Sequence, residues 1–218
     1  MRRSSAQSHL RYPLTRLLGN GGNVRVLRAL SEYGAPLSAV QLAREAGLTP
    51  QGVRHVLDGL VGQGVVSVLG QGRSRLYAIE SAHSLAPVLK ALFAEERTRW
   101  EGLLKRVREG LSALEQVTAA WLYGSVARGE DDPASDIDLA LVVQGEPGEV
   151  AEAVRERLRA LEDELRVTFS VVTLSRADAL GRAEKEPWWR ELARDAKVLK
   201  GGTPEQVVAR LRQEPVTA

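Results

Sequence analysis

Asp136 and Asp138 alternate with Ile137, Leu139 and Leu141, and they follow the pair Gly124-Ser125 after a spacer of ten residues. On a strand, residues two apart share a face, so both carboxylates would project together, about 7 Å apart along the chain. Two hard oxygen donors of this kind suit Mg²⁺, which takes one or two protein carboxylates and completes its shell with water and phosphate oxygens. A glycine leaving a strand lets backbone approach a phosphate closely, and a following helix aims its free N–H groups and positive dipole end at that anion. Ser125 adds a hydroxyl. Taken separately, the two halves read as a surface turn and a strand with two solvent-facing acids. Strand, Gly-Ser, ten residues, then Asp-x-Asp opening a second strand is a far more restrictive combination, and it points to a metal-bound nucleotide.

The elements that must position these groups can be placed from pattern. Residues 119–123 form a short apolar run that reads as a buried strand ending at Gly124. Residues 149–165 read as a helix with salt-bridge spacing, residues 167–174 as a third strand, and residues 192–199 as a return to the sheet or its edge. Trp188 and Trp189 follow Pro187; they could stack a base, but core packing is the commoner use of such a pair and they are given no role. Residues 204–213 suit an amphipathic C-terminal helix.

The segment from about 117 to 200 resembles the minimal nucleotidyltransferases of the DNA polymerase β superfamily, whose signature is Gly-Ser, about ten residues, and Asp-x-Asp. The resemblance implies that Gly124 and Ser125 hold the triphosphate of an NTP, with ATP the first candidate. It also implies that Asp136 and Asp138 are the catalytic carboxylates that hold Mg²⁺ or Mn²⁺. Arg128 lies one helical turn beyond the serine, either facing the phosphates or solvated. One position departs from the pattern. That family usually supplies a third carboxylate from a neighbouring strand, in a pattern of the type Val-Asp-Val-Val, and the matching position here is Ser170. A serine cannot anchor a second metal or take a proton as a carboxylate does, and its loss removes several kcal/mol of barrier lowering in an in-line displacement. Asp163, Glu164 and Asp178 are the nearby acids that could substitute.

The first part of the chain has another character. The net charge is +2, but residues 1–83 carry +6 and residues 84–218 carry −4, which suggests a polyanionic partner for the first part alone. Asn23 is placed to cap a helix through Val24, Leu27, Leu30 and Tyr33, ended by Gly34. Ser38-Ala39-Val40-Gln41 has capping-box spacing and opens a short helix ending near Gly47. Thr49-Pro50 begins a third helix whose Val53, Val56, Leu57, Leu60 and Val61 follow one face. Opposite lie Gln51, Arg54 and His55, the residue types that recognition helices turn toward base edges and phosphates. Two strand-like runs, residues 65–69 and 76–79, flank a basic tip containing Arg73 and Arg75. Residues 12–82 thus resemble a winged helix-turn-helix of the bacterial repressor type, with Thr49, Gln51, Arg54, His55, Arg73 and Arg75 as its DNA contacts; the same fold also serves protein contacts alone.

Residues 83–116 read as a helical connector, one helix or two depending on the polar run 95–99, whose apolar stripe packs either on a second copy in a homodimer or on the second domain. Four segments result: a winged helix-turn-helix at 12–82, the connector at 83–116, a nucleotidyltransferase-like mixed sheet flanked by helices at 117–200, and a helical tail at 201–218. The fold class is α+β in two domains. A chain of 218 residues with 44% apolar and 27% charged residues can bury a core in each. Absence of cysteine excludes disulfides and thiolate zinc sites, and no membrane or signal segment is visible, so a cytoplasmic protein is expected. The leading functional expectation is a protein that binds double-stranded DNA and Mg-NTP. It would transfer a nucleotidyl group to a protein or small-molecule acceptor, in the manner of an autoregulated antitoxin modifying a toxin. The alternative is a transcriptional regulator whose transferase domain survives as a nucleotide sensor or interaction module.

Overall fold

The computed structural model describes residues 13–213, which divide into two compact units at Trp100 and Glu101. The described residues contain no helix long and apolar enough to cross a membrane.

In the first unit α1 (Pro13–Leu18) and α2 (Gly21–Tyr33) lead to α3 (Ala39–Glu45) and α4 (Pro50–Gly62). The cap of α2 is Asn20, not Asn23: its extended backbone presents Oδ1 to the N–H of Gly22 at 2.7 Å. The helix starts early because Gly21-Gly22 form its first turn. A Cβ on Gly22 would come within 2.9 Å of Val56 Cγ2, so the bare backbone lets α2 approach α4. Gly34 ends α2 in the left-handed conformation at φ 65°. Ser38 and Gln41 form the capping box of α3, and Thr49 Oγ1 accepts from the N–H of Gly52 at 3.1 Å to start α4 behind Pro50. The apolar face of α4 (Val53, Val56, Leu57, Leu60) is buried with Leu27, Leu30 and Leu42. Strands β1 (Leu37–Ser38), β2 (Val66–Leu69) and β3 (Leu76–Ile79) form an antiparallel sheet in the order β1-β3-β2, with a single 3₁₀ turn at Gly72–Ser74 in the wing.

The stretch after the wing is one helix, α5 (Ala86–Ser112). Its polar run does not break it. Glu96 lies there because it meets Arg28 of α2 through two hydrogen bonds of 2.6 and 2.8 Å, while the Arg28 guanidinium also stacks on Phe93. Leu89 and Phe93 enter the first core.

The second unit is a four-stranded mixed sheet in the order β6-β5-β4-β7, built from β4 (Val117–Tyr123), β5 (Ile137–Val143), β6 (Phe169–Leu174) and β7 (Lys197–Lys200). β4 pairs antiparallel with β5 and β7, and β5 parallel with β6 through the crossover helix α7 (Pro147–Leu165). α7 and the last turns of α5 are tied by a bidentate pair, Arg106 to Glu164, at 2.7 and 2.8 Å. On the other face Ala119, Trp121, Ala140, Val142 and Leu174 pack under α8 (Arg176–Lys185), α9 (Pro187–Asp195) and α10 (Pro204–Gln213). Trp121 centres that layer: it is fully buried, meets Trp189 edge-to-face at 6.0 Å, and donates from Nε1 to the carbonyl of Gly202 at 2.8 Å. Trp121→Ala should therefore destabilise the second unit by about 3–5 kcal/mol, read as a shifted denaturant midpoint; a change under about 1 kcal/mol would mean that this layer contributes little to stability.

Candidate functional site

β4 and β5 run antiparallel, so the end of one lies beside the start of the other. Their register sets Tyr123 against Asp138, and the parallel register of β5 with β6 sets Asp138 against Ser170. Tyr123, Asp138 and Ser170 thus form a row across three strands. It lies at the rim of the face whose interior holds Trp121, Ala140 and Val172. Asp136 sits two residues before Asp138, just outside the strand and exposed.

Beyond Tyr123 the chain turns at Gly124, φ 74°, into the five-residue helix α6 (Gly124–Arg128), which Gly129 closes at φ 72°. A Cβ built on Gly124 would overlap the Asp138 carboxylate. Only glycine permits this approach, through both its conformation and its lack of a side chain. The acidic loop is pinned at its far end: Asp132 Oδ1 accepts from the N–H of Ala134 at 2.8 Å, and Ser135 Oγ from the N–H of Asp132 at 3.0 Å. The structure thus brings Gly124, Ser125, Asp136 and Asp138 to one end of the sheet.

Burial raises the Asp138 carboxyl above the ordinary aspartate value. The hydrogen bond from Ser170 opposes this, the charge of Asp136 adds to it, and Arg128 opposes it. The Tyr123 phenol is raised first by burial and then by the Asp138 charge, against a hydrogen bond with Trp188, whose ring meets it edge-on at 5.7 Å. Sequence reasoning missed Tyr123 and Trp188 as neighbours of the site. The residue before Gly124 was visible, but the register and the placement of α9 were not.

Arg128 is engaged. Its Nε donates to Glu130 at 2.7 Å and Nη1 to Asp195 of α9 at 3.3 Å, a partner 67 residues away that the sequence does not announce. Of the acids that could stand in for a third carboxylate, two are engaged and the third is exposed on a helix. Asp163 is exposed on α7, Glu164 pairs with Arg106, and Asp178 closes the capping box of α8 with Ser175. Among the described residues no group of three or more His, Asp or Glu side chains converges. The donor set present, two carboxylates beside a bare backbone turn, fits one Mg²⁺ whose remaining ligands come from phosphate and water.

In the first unit, Gln51, Arg54 and His55 are exposed on α4, and Thr49 is exposed at its start while capping it. Asp58, one turn past Arg54, is also exposed and places an acid on that face. Arg75 is exposed beside the wing; the side chain of Arg73 lies outside those described.

Residues 105–184 match the family model described as polymerase beta, nucleotidyltransferase, and residues 24–70 match the IclR helix-turn-helix domain. The chain therefore joins a helix-turn-helix domain to a nucleotidyltransferase-fold domain. No curated protein matches it. Among solved structures, a toxin-antitoxin with AMP-PNP is similar at 19% identity, covering 50% of this chain and 83% of that one, with a TM-score of 0.37. The AntR antimony-specific transcriptional repressor is similar at 24% identity over 47% of this chain and 86% of that one, TM-score 0.36. A mutant of the toxin-antitoxin MntA-HpeT is similar at 18% over 51% and 82%, TM-score 0.36.

The raised Asp138 carboxyl has a signed consequence. Folding favours its protonated form, so the stability linked to it is present below the unfolded value and lost as pH rises through the folded one. Asp138→Asn should raise the thermal midpoint at pH 7, and the gain should fade as the pH falls through the raised folded value and be gone below the ordinary aspartate value of about 4. A lowered midpoint at pH 7 would show that burial does not govern this carboxylate.

Proposed function

We propose that the chain is a DNA-binding protein whose second unit binds a Mg²⁺-bound nucleoside triphosphate, ATP first among candidates, and whose response to that nucleotide is regulatory. The close approach of Gly124 to Asp138 carries the reading: backbone without a side chain lies against a carboxylate, with Ser125 next in the chain after the glycine and Asp136 two residues before the aspartate. Asp136 and Asp138 would hold the cation, and Gly124 and Ser125 the phosphates. The bound cation would neutralise phosphate charge and polarise the phosphoryl oxygens. Arg128 would contribute Nη2, since Nε and Nη1 are committed to Glu130 and Asp195.

The neutral Ser170 beside Asp138, where a third carboxylate would stand, favours sensing over transfer. The nucleotidyltransferase match over residues 105–184 favours a second reading. In it the same site transfers a nucleotidyl group to a hydroxyl of a protein, such as a toxin, or of a small molecule, and the helix-turn-helix unit autoregulates expression. In either reading Thr49, Gln51, Arg54, His55, Arg73 and Arg75 meet double-stranded DNA in the cytoplasm. The exposed Val88 and Leu92 of α5 offer apolar surface to a second copy in a homodimer.

Incubation with α-labelled ATP and Mg²⁺, alone and with candidate acceptors, separates these readings. Binding without transfer that weakens tenfold or more in Asp136→Asn supports sensing, whereas acceptor labelling abolished by the same change establishes transfer; wild-type protein that ignores nucleotide refutes both. Separately, Arg54→Ala with Arg75→Ala should weaken duplex binding and lower the slope of log K against log salt by about 0.9 for each phosphate that the variant no longer neutralises. An unchanged slope would remove these residues from the DNA interface.

A further inference from the structure

We infer that Ser170 is a positioning residue that holds the Asp138 carboxylate for a single divalent cation, so that the site takes one cation per nucleotide; this rests on the nucleotide-binding reading above. The parallel β5–β6 register places Ser170 directly beside Asp138 on the same face, where its hydroxyl is the neighbouring donor that favours the ionised carboxylate. A serine hydroxyl has one proton to give, and an ionised carboxylate offers about four lone-pair directions, so the donation fixes the carboxylate plane while leaving oxygen free for a cation. On its other side the carboxylate lies against Gly124. Asp138 is thereby set between a hydroxyl and a bare backbone turn, and groups that orient a metal ligand in this way govern affinity nearly as much as the ligand does.

The same surroundings limit the site to one cation. A second would need a further anionic donor in the row beside Asp138, and the side chain that β6 places there is the neutral Ser170. Glu162 accepts from the N–H of Phe169 at 2.8 Å, Glu164 is forked to Arg106, and Asp178 caps α8. Glu130 holds Arg128, and Asp132 closes its own turn. Asp138 in the row and Asp136 just before it are the carboxylates that would serve the cation.

The test is an Mn²⁺ titration of the full-length protein followed by electron paramagnetic resonance, with a non-hydrolysable ATP analogue and bound nucleotide measured in parallel. Wild type should bind one Mn²⁺ per nucleotide. Ser170→Ala should weaken Mn²⁺ at least tenfold, whereas Ser170→Thr, which keeps the hydroxyl, should retain wild-type affinity. Ser170→Asp should bind a second Mn²⁺. Two Mn²⁺ in wild type, or undiminished affinity in Ser170→Ala, would overturn the inference while leaving nucleotide binding intact. Wild-type protein that binds neither Mn²⁺ nor the analogue would overturn the nucleotide reading itself, before any variant is made. If Ser170→Asp does not fold, the alanine and threonine pair decides.

Discussion

The second unit is organised by one close approach, that of the Gly124 backbone to the Asp138 carboxylate at the end of the β4–β5 ladder. A two-residue change in the register of β4 against β5 would carry the carboxylate away from the turn, and a one-residue change would send it through to the opposite face. The register is held by burial, because Leu122, Leu139 and Leu141 must lie on one face and Trp121 and Ala140 on the other. Core packing and site assembly are therefore the same constraint. The raised Asp138 carboxyl reflects its cost, since a charge held at the rim of a packed layer loses part of its hydration.

Around that approach, the turn at Gly124 is braced from the side. Arg128 joins the end of α6 to Asp195 at the end of α9, and Arg194 grips the same carboxylate at 2.7 and 3.0 Å. A five-residue helix has little stability of its own, so its placement depends on such ties and on its own Ala127, which is buried. Arg128 is best understood as a brace with one nitrogen to spare.

The legible parts of the molecule were those encoded by local chemistry. Ser38 with Gln41, Thr49 before Pro50, and Gly34 after Tyr33 announce helix ends because caps use fixed residue types at fixed offsets. Asp-x-Asp alternation announces β5 for the same reason. The local logic misleads at Asn23, where Gly21-Gly22 resemble loop but form a helical turn whose missing side chains admit Val56. It leaves α5 undecided, because the partner that accounts for Glu96 is Arg28, 68 residues distant. Tyr123 and Ser170 on either side of Asp138, and Asp195 on Arg128, depend on strand register and helix docking. A single sequence does not carry those relations.

The tryptophans add a property of a different kind. Of the four in the chain, Trp121, Trp188 and Trp189 form a connected aromatic group in the second unit, and Trp188 touches Tyr123 next to Asp138. Indole emission depends on the polarity and charge around the ring, so the fold contains its own optical reporter at the rim of the candidate site. Ligand arrival there can be followed by intrinsic fluorescence, with no dye attached and no residue replaced.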